Sequence, residues 1–229
     1  MFEVDISNLR EVRQELNYHK AINSNFKECV NEKAFGRLIK NLGMTKDQIV
    51  AKAQIDKPFA TAVAMATATN ASRQGTKDEV LIIEGISKEV KNHGVNIRNY
   101  GTNDKVPIRQ SGHVLTRKQA KAKYDSHLLM KSFDFGGELC DNRKIEGFAK
   151  VCIGAGGHQD NVFHEASEFL KWASDHGNSN TVYVVLMDTD QKKIFNNLKE
   201  LEQELGKQNL WVVNHKEFQE KLISLKKEN

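Results

Sequence analysis

The run 181–187, Thr-Val-Tyr-Val-Val-Leu-Met, constrains this chain more than any other stretch of it. It is rich in apolar and β-branched residues and does not alternate with polar ones. That pattern marks a strand covered on both faces. A strand of this kind belongs inside a sheet with helices on either side. The residues around it fit that demand. Residues 161–176 place Val162, Ala166, Phe169 and Leu170 on one helical face, and Asp160 can cap them. A charged helix is expected over 191–205, a short strand over 210–213 and a closing helix over 216–225. Upstream, residues 128–139 and 145–153 read as two strands joined by a turn at 140–144 that contains Asp141 and Asn142. The order is strand, strand, helix, strand, helix, strand, helix. It predicts an α/β fold: a mixed sheet flanked by helices, with crossover connections in its C-terminal part.

The first half reads differently. Ser7 can cap a helix with Leu9, Val12 and Leu16 on one face, and Phe35, Leu38, Ile39 and Leu42 repeat the spacing up to Gly43. Thr45 caps a helix over 46–54, residues 60–71 are small enough for a tightly packed helix, and 77–93 carry Val80, Ile83, Ile86 and Val90 before Gly94. Helix–Gly–helix at 35–54 has the outline of a helix-turn-helix, but the pattern is generic and reads as two packed helices. With 229 residues and 26.0 kDa there is room for a substantial core and a helical annex, divided here as 1–70 and 71–229.

Charge and cysteines narrow the function classes. Mean hydropathy is −0.58 and the apolar runs are too short to span a bilayer, so no membrane partner is expected. Residues 2–8 have neither the basic nor the apolar part of a secretory signal. Cys29, Cys140 and Cys152 are odd in number and widely spaced, which fits structural thiols in a reducing cytoplasm. Net charge is +4, but Arg109, Arg117, Lys118, Lys121, Lys123 and Lys131 gather in one span whose one acid is Asp125. Such a cluster serves a solvated face or a phosphate-binding face equally well.

Lys150 stands between Ala149 and Val151 in an apolar strand, where a charge needs partners. On a hairpin, alternation places Lys150 on the face of Phe148 and Glu146, with Asp134 on the opposing strand. Two acids holding a divalent ion, with a lysine near the attacking water, are what metal-assisted phosphodiester hydrolysis requires.

Phe133-Asp134 followed by Phe148-Ala149-Lys150 resembles the PD-(D/E)XK motif of type II restriction endonucleases. Phe133 replaces the usual proline and Phe148 the usual second acid. Some enzymes of that superfamily take the second acid from the following helix. Glu165, in Phe163-His164-Glu165-Ala166, matches that position, and Glu146 is its rival on the strand. The family's core often begins with a helix bearing a glutamate near the metal, which Glu79 resembles, with Arg73 and Lys77 near the DNA backbone. The resemblance covers about residues 70–225. It implies magnesium-dependent, sequence-specific cleavage of double-stranded DNA that leaves a 5′-phosphate, Mg2+ on Asp134 and Glu165, and Lys150 positioning the water. It also implies a homodimer matched to a palindromic site. Arg109, Gln110, Arg117, Lys118, His158 and Gln159 are the candidate DNA contacts.

Three rivals remain. Gly154-Ala155-Gly156-Gly157 between strand and helix suits a phosphate, yet Gln159 stands where a dinucleotide fingerprint needs glycine. His158, Asp160 and His164 lack standard zinc spacing. A non-catalytic DNA-binding protein would use the helical half and residues 109–131.

Overall fold

A computed structural model describes residues 18–19, 21–25, 32–67, 71–101, 103–152 and 159–225. The chain divides into two compact units, one within Asp5–Gly75 and the other within Thr76–Asn229.

In the first unit, helices α1 (Glu32–Leu42), α2 (Lys46–Ile55) and α3 (Lys57–Thr67) gather around Phe35, Ile49, Ala53, Ala60, Val63 and Ala64. Gly43 ends α1 in a left-handed conformation, φ 62°, which glycine adopts without steric cost. Thr45 then caps α2 as expected, accepting from Gln48 N while the Gln48 side chain accepts from Thr45 N. Asp56 Oδ1 accepts from Phe59 N at 3.0 Å and so starts α3 only two residues after α2 stops. The helix expected over 9–16 lies outside the described residues.

The second unit is a three-layer α/β arrangement. It begins within α4 (Ala71–Val90), whose C-terminal extension ends at Gly94 with φ 77°. Five strands form the sheet: β1 (Asn96–Asn99), β4 (Phe135–Glu138), β5 (Lys144–Cys152), β6 (Thr181–Thr189) and β7 (Leu210–Val213), in that spatial order. β1, β4 and β5 pair antiparallel; β5, β6 and β7 run parallel. The parallel pairs are joined over helices α6 (Gln159–His176) and α7 (Lys192–Leu205), and α8 (His215–Ser224) closes the chain. A small hairpin of β2 (Val106–Pro107) and β3 (Val114–Leu115) leads into α5 (Arg117–Lys123).

β6 is buried from Thr181 to Asp188, as the unbroken apolar run requires. Its residues divide alternately. Val182, Val184 and Leu186 join Ile82, Ile83 and Ile86 of α4 and Phe218 and Leu222 of α8 on one face. Tyr183, Val185 and Met187 join Phe169, Leu170 and Ala173 of α6 and Leu198 of α7 on the other. The mixed sheet flanked by helices is therefore present, with crossovers where they were expected.

One expectation fails. Residues 128–139 do not form a continuous strand; β4 begins only at Phe135. Upstream of it the backbone bonds elsewhere. Leu128 O accepts from Arg109 N, Met130 N donates to Pro107 O, and Phe133 N donates to Lys105 O, at 2.8–3.1 Å. The segment pairs with residues 105–109, and the apolar character that suggested a strand comes from packing. Phe133 sits edge-on to Phe169 at 5.6 Å and tilted against Trp172 at 5.9 Å. The sequence reading also misses β1, whose Asn-Ile-Arg-Asn offers one apolar residue.

Candidate functional site

The site forms where β4 leaves β5. The last ladder pair is Phe135 with Gly147. Asp134 N still donates to Gly147 O at 2.8 Å, but at the next donor the side chain takes over. Asp134 Oδ2 accepts from Ala149 N at 2.9 Å. The carboxylate thereby satisfies an amide that the departing strand would leave unpaired. No residue of β4 pairs with β5 beyond this point, and Lys150 is the next residue of β5.

Lys150 resolves its burial through α4. Its Nζ donates to Glu79 Oε1 at 2.9 Å, with the side chains only 18% and 7% exposed. Burial alone would lower the lysine's pKa, but Glu79, helped by Lys131 and Asp134, outweighs it and holds Lys150 above its ordinary range. Burial raises the Glu79 carboxyl, and Lys150 only partly restores it. Glu79, Lys150, Ile82, Ala149, Val151, Leu186 and Asp188 line a small recess at this end of the sheet.

A second lysine completes the group. Lys131 Nζ lies 3.7 Å from Asp134 Oδ2 and 3.7 Å from Glu165 Oε2 of α6. Burial depresses its pKa; Asp134 works against that, and the neighbouring Lys150 ammonium adds to the depression. Phe148 is 2% exposed and stacks on Phe169 at 6.1 Å. Its ring carries both ammonium groups, Lys131 at 4.4 Å and Lys150 at 5.6 Å from the centroid. The electron-rich ring face thus gives both cations a favourable contact.

Glu79, Asp134, Lys150 and Glu165 are therefore brought together, with Lys131 as the link to Glu165. Glu146 is not among them. Phe148 separates it from Lys150 along the strand, and its Oε1 is 3.6 Å from Lys105. Burial raises the Glu146 carboxyl, and burial together with Glu146 pushes Tyr100 up to about 12. Arg109 pairs in bidentate fashion with Glu168 of α6, where His164 also lies 3.4 Å away. Trp172 Nε1 pins the adjoining turn to α6 by donating to Ile108 O and Ser111 O. Gln110 and Lys118 are exposed and Arg117 is half-buried. Arg73 and Lys77 belong to α4 and Gln159 and Asp160 to α6, but their side chains lie outside the described part, as do His158 and the loop 154–157. Among the described residues, no three or more His, Cys, Asp or Glu side chains converge as a metal-binding group.

The sequence reading placed Lys131 only in a basic cluster. Its spacing of three from Asp134 is the signal that would have tied it to the site. Also missed is the buried pair Asp188 and His215. His215 Nδ1 lies 2.8 Å from Asp188 Oδ1, and the same oxygen accepts from His215 N at 3.2 Å. The pair ties the end of β6 to the start of α8. Cys140 and Cys152 are half-buried and form no disulfide. No helix among the described residues is long and apolar enough to cross a membrane. Comparison with protein-family models, curated proteins and solved structures finds no match.

Proposed function

We propose that this chain is a magnesium-dependent endonuclease of the type II restriction kind, with a PD-(D/E)XK-like core, cutting double-stranded DNA at a specific short sequence. One observation carries the reading. A lysine drawn out of an apolar strand onto Glu79 adjoins a carboxylate, Asp134, that shares a single cation with Glu165. Four groups from separate segments of the chain meet where the sheet opens, and ordinary strand packing gives no reason for that convergence.

The donor set fits magnesium. Asp134 and Glu165 offer only hard oxygen, and a positive charge already lies between them. Magnesium keeps much of its water and uses one or two carboxylates together with substrate phosphate, so two acids suffice. Bound by Asp134 and Glu165, it would neutralise charge on the scissile phosphate and lower the pKa of the attacking water. Lys150 Nζ has three protons, one of them given to Glu79. The remaining two can orient the water or hold a phosphate oxygen. Because Glu79 keeps it protonated, Lys150 serves as donor and fixed charge, not as base. Glu79 positions Lys150. The water gives a proton to solvent as its oxygen bonds to phosphorus, the 3′ P–O bond breaks, and the 3′ oxygen takes a proton from solvent, leaving a 5′-phosphate and a 3′-hydroxyl.

Cutting both strands at a palindromic site is met most simply by a two-fold homodimer in the cytoplasm. Plasmid digestion with magnesium or with chelator tests the reading, comparing wild type with Lys150→Ala. Magnesium-dependent scission lost in the variant supports it; no such scission on DNA of diverse sequence overturns it. The exposed Lys118, Lys121 and Lys123 of α5 favour a second reading, a non-catalytic DNA-binding protein. That protein would bind DNA equally well with chelator and with Lys150→Ala.

A further inference from the structure

We infer that Lys131 is a built-in counter-cation that occupies the place between Asp134 and Glu165 and leaves it when a divalent ion binds. The inference rests on the reading that these two carboxylates hold the metal, and it adds a regulating element to that site.

The two lysines of the site are held in contrasting ways. Lys150 makes a 2.9 Å hydrogen bond to a carboxylate that is itself buried. Lys131 is equidistant from two carboxylates, 3.7 Å from each, beyond the length of a committed hydrogen bond. Its buried Nζ makes no hydrogen bond to either carboxylate. A position shared between two acids and satisfied by neither is one that a cation takes by charge alone. What else holds it is the Phe148 ring at 4.4 Å, a non-directional contact. The ammonium of Lys150, fixed by Glu79, pushes it outward. Its side chain is one-third exposed, so the four-carbon stem has water to swing into. A divalent ion brings twice the charge to the same oxygens.

The arrangement has a chemical use. Without a metal, Asp134 and Glu165 would repel each other beside the buried Glu79, and Lys131 relieves that repulsion. Every divalent ion that binds must then displace it. The site therefore demands a higher ion concentration than its carboxylates alone would need. Once displaced, the ammonium is free beside the place where the scissile phosphate would lie.

Mn2+ binding to the full chain, without DNA and followed by the electron paramagnetic resonance of free Mn2+, tests this directly. Lys131→Met keeps the stem over Phe148 and removes the charge; it should bind Mn2+ about fivefold more tightly than wild type, the weight of one shared, partly exposed charge contact. Lys131→Arg, whose planar fork can reach both carboxylates, should bind several-fold more weakly. Asp134→Asn should abolish binding in either background. Affinity unchanged or weakened in Lys131→Met, with Asp134→Asn still abolishing binding, overturns the role of Lys131 and leaves the metal site standing. No binding by wild type or Lys131→Met, or binding indifferent to Asp134→Asn, overturns the metal site and this inference with it. A measurement without substitution at Lys131 guards against a misfolded variant. In wild type labelled at lysine 13Cε, Mg2+ should move the Lys131 resonance well beyond the Lys150 resonance; equal or absent movement counts against displacement.

Discussion

Asp134 has two tasks that a substitution can separate. Its carboxylate closes the hydrogen bonding of β5 at Ala149 N and also faces Lys131. Asp134→Asn keeps an acceptor for the amide, whereas Asp134→Ala leaves the amide of a 2% exposed residue unpaired. Urea denaturation should find the alanine variant destabilised by about 1–2 kcal/mol and the asparagine variant close to wild type. Both should lose magnesium-dependent cleavage, since an amide is a poor substitute for a carboxylate on magnesium. A stability loss equal in both would show that the Ala149 bond is not what matters. Lys150 invites a test by pH. Burial raises the Glu79 carboxyl and Lys150 lowers it, so removing the lysine lifts its folded-state pKa further. A carboxyl raised on folding stabilises below its unfolded pKa, and that stability is lost as pH climbs through the folded value. Lys150→Met should therefore be nearly as stable as wild type near pH 5 and lose about 3 kcal/mol by pH 8, where an ionised, buried Glu79 has no partner. Denaturation curves at both pH values decide this; a loss that does not grow with pH would mean that Glu79 is not the group left behind.

At the scale of elements, the parallel half of the sheet is legible because each strand there is an apolar run and each connection a long amphipathic helix. β5, β6, β7 and the helices between them fall within about two residues of where periodicity places them. The antiparallel edge is less legible, for a physical reason. β1 is an edge strand that buries only Ile97 fully, so its register comes from backbone pairing with β4 and not from side-chain pattern. Met130 and Phe133 are apolar because they pack under α6, and Leu128 and Leu129 because they pack against Val106, Ile108 and Ala120; apolarity alone cannot separate such a packed loop from a strand. The pairing of Lys150 with Glu79 spans 71 residues and follows from no local spacing. Glycines explain how closely β4 meets its neighbours. A Cβ at Gly147 would lie 2.0 Å from the Phe135 ring, and one at Gly137 would lie 1.8 Å from Asn96 O. Gly147→Ala must push Phe135 out of the core face or spread the hairpin that presents Asp134 and Lys150. Thermal unfolding should show a loss of about 3 kcal/mol, with cleavage falling alongside it. Gly36→Ala is the opposite case. It lies mid-helix in α1 with nothing within 4 Å of an added Cβ, and should stabilise by about 0.5–1 kcal/mol. A neutral Gly147→Ala would mean that the hairpin opens without cost.

For the molecule as a whole, a net charge of +4 is small, so affinity for a polyanion depends on where the charge lies. Of the basic residues in 109–131, Arg109 is engaged by Glu168, and Lys131 by Asp134 and Glu165. The exposed lysines are those of α5, a seven-residue helix capped at Thr116 by Gln119 and bearing no acid. Lys118, Lys121 and Lys123 recur at intervals of three and two, and all three are exposed. Charges placed in this way contact phosphate and carry no sequence information by themselves. Replacing all three with glutamine should weaken binding to cognate and random duplexes by similar factors. The slope of log K against log salt should become less steep by about 2–3, since each phosphate contact contributes roughly 0.9. Cleavage at saturating protein should be nearly unchanged, because none of the three lies in the Glu79, Asp134, Lys131, Lys150 and Glu165 group. Fluorescence anisotropy across a salt series, with calcium in place of magnesium to hold the DNA uncut, gives the slope. An unchanged slope would move the phosphate-binding face off α5. A loss confined to one DNA sequence would make these lysines readers of bases instead.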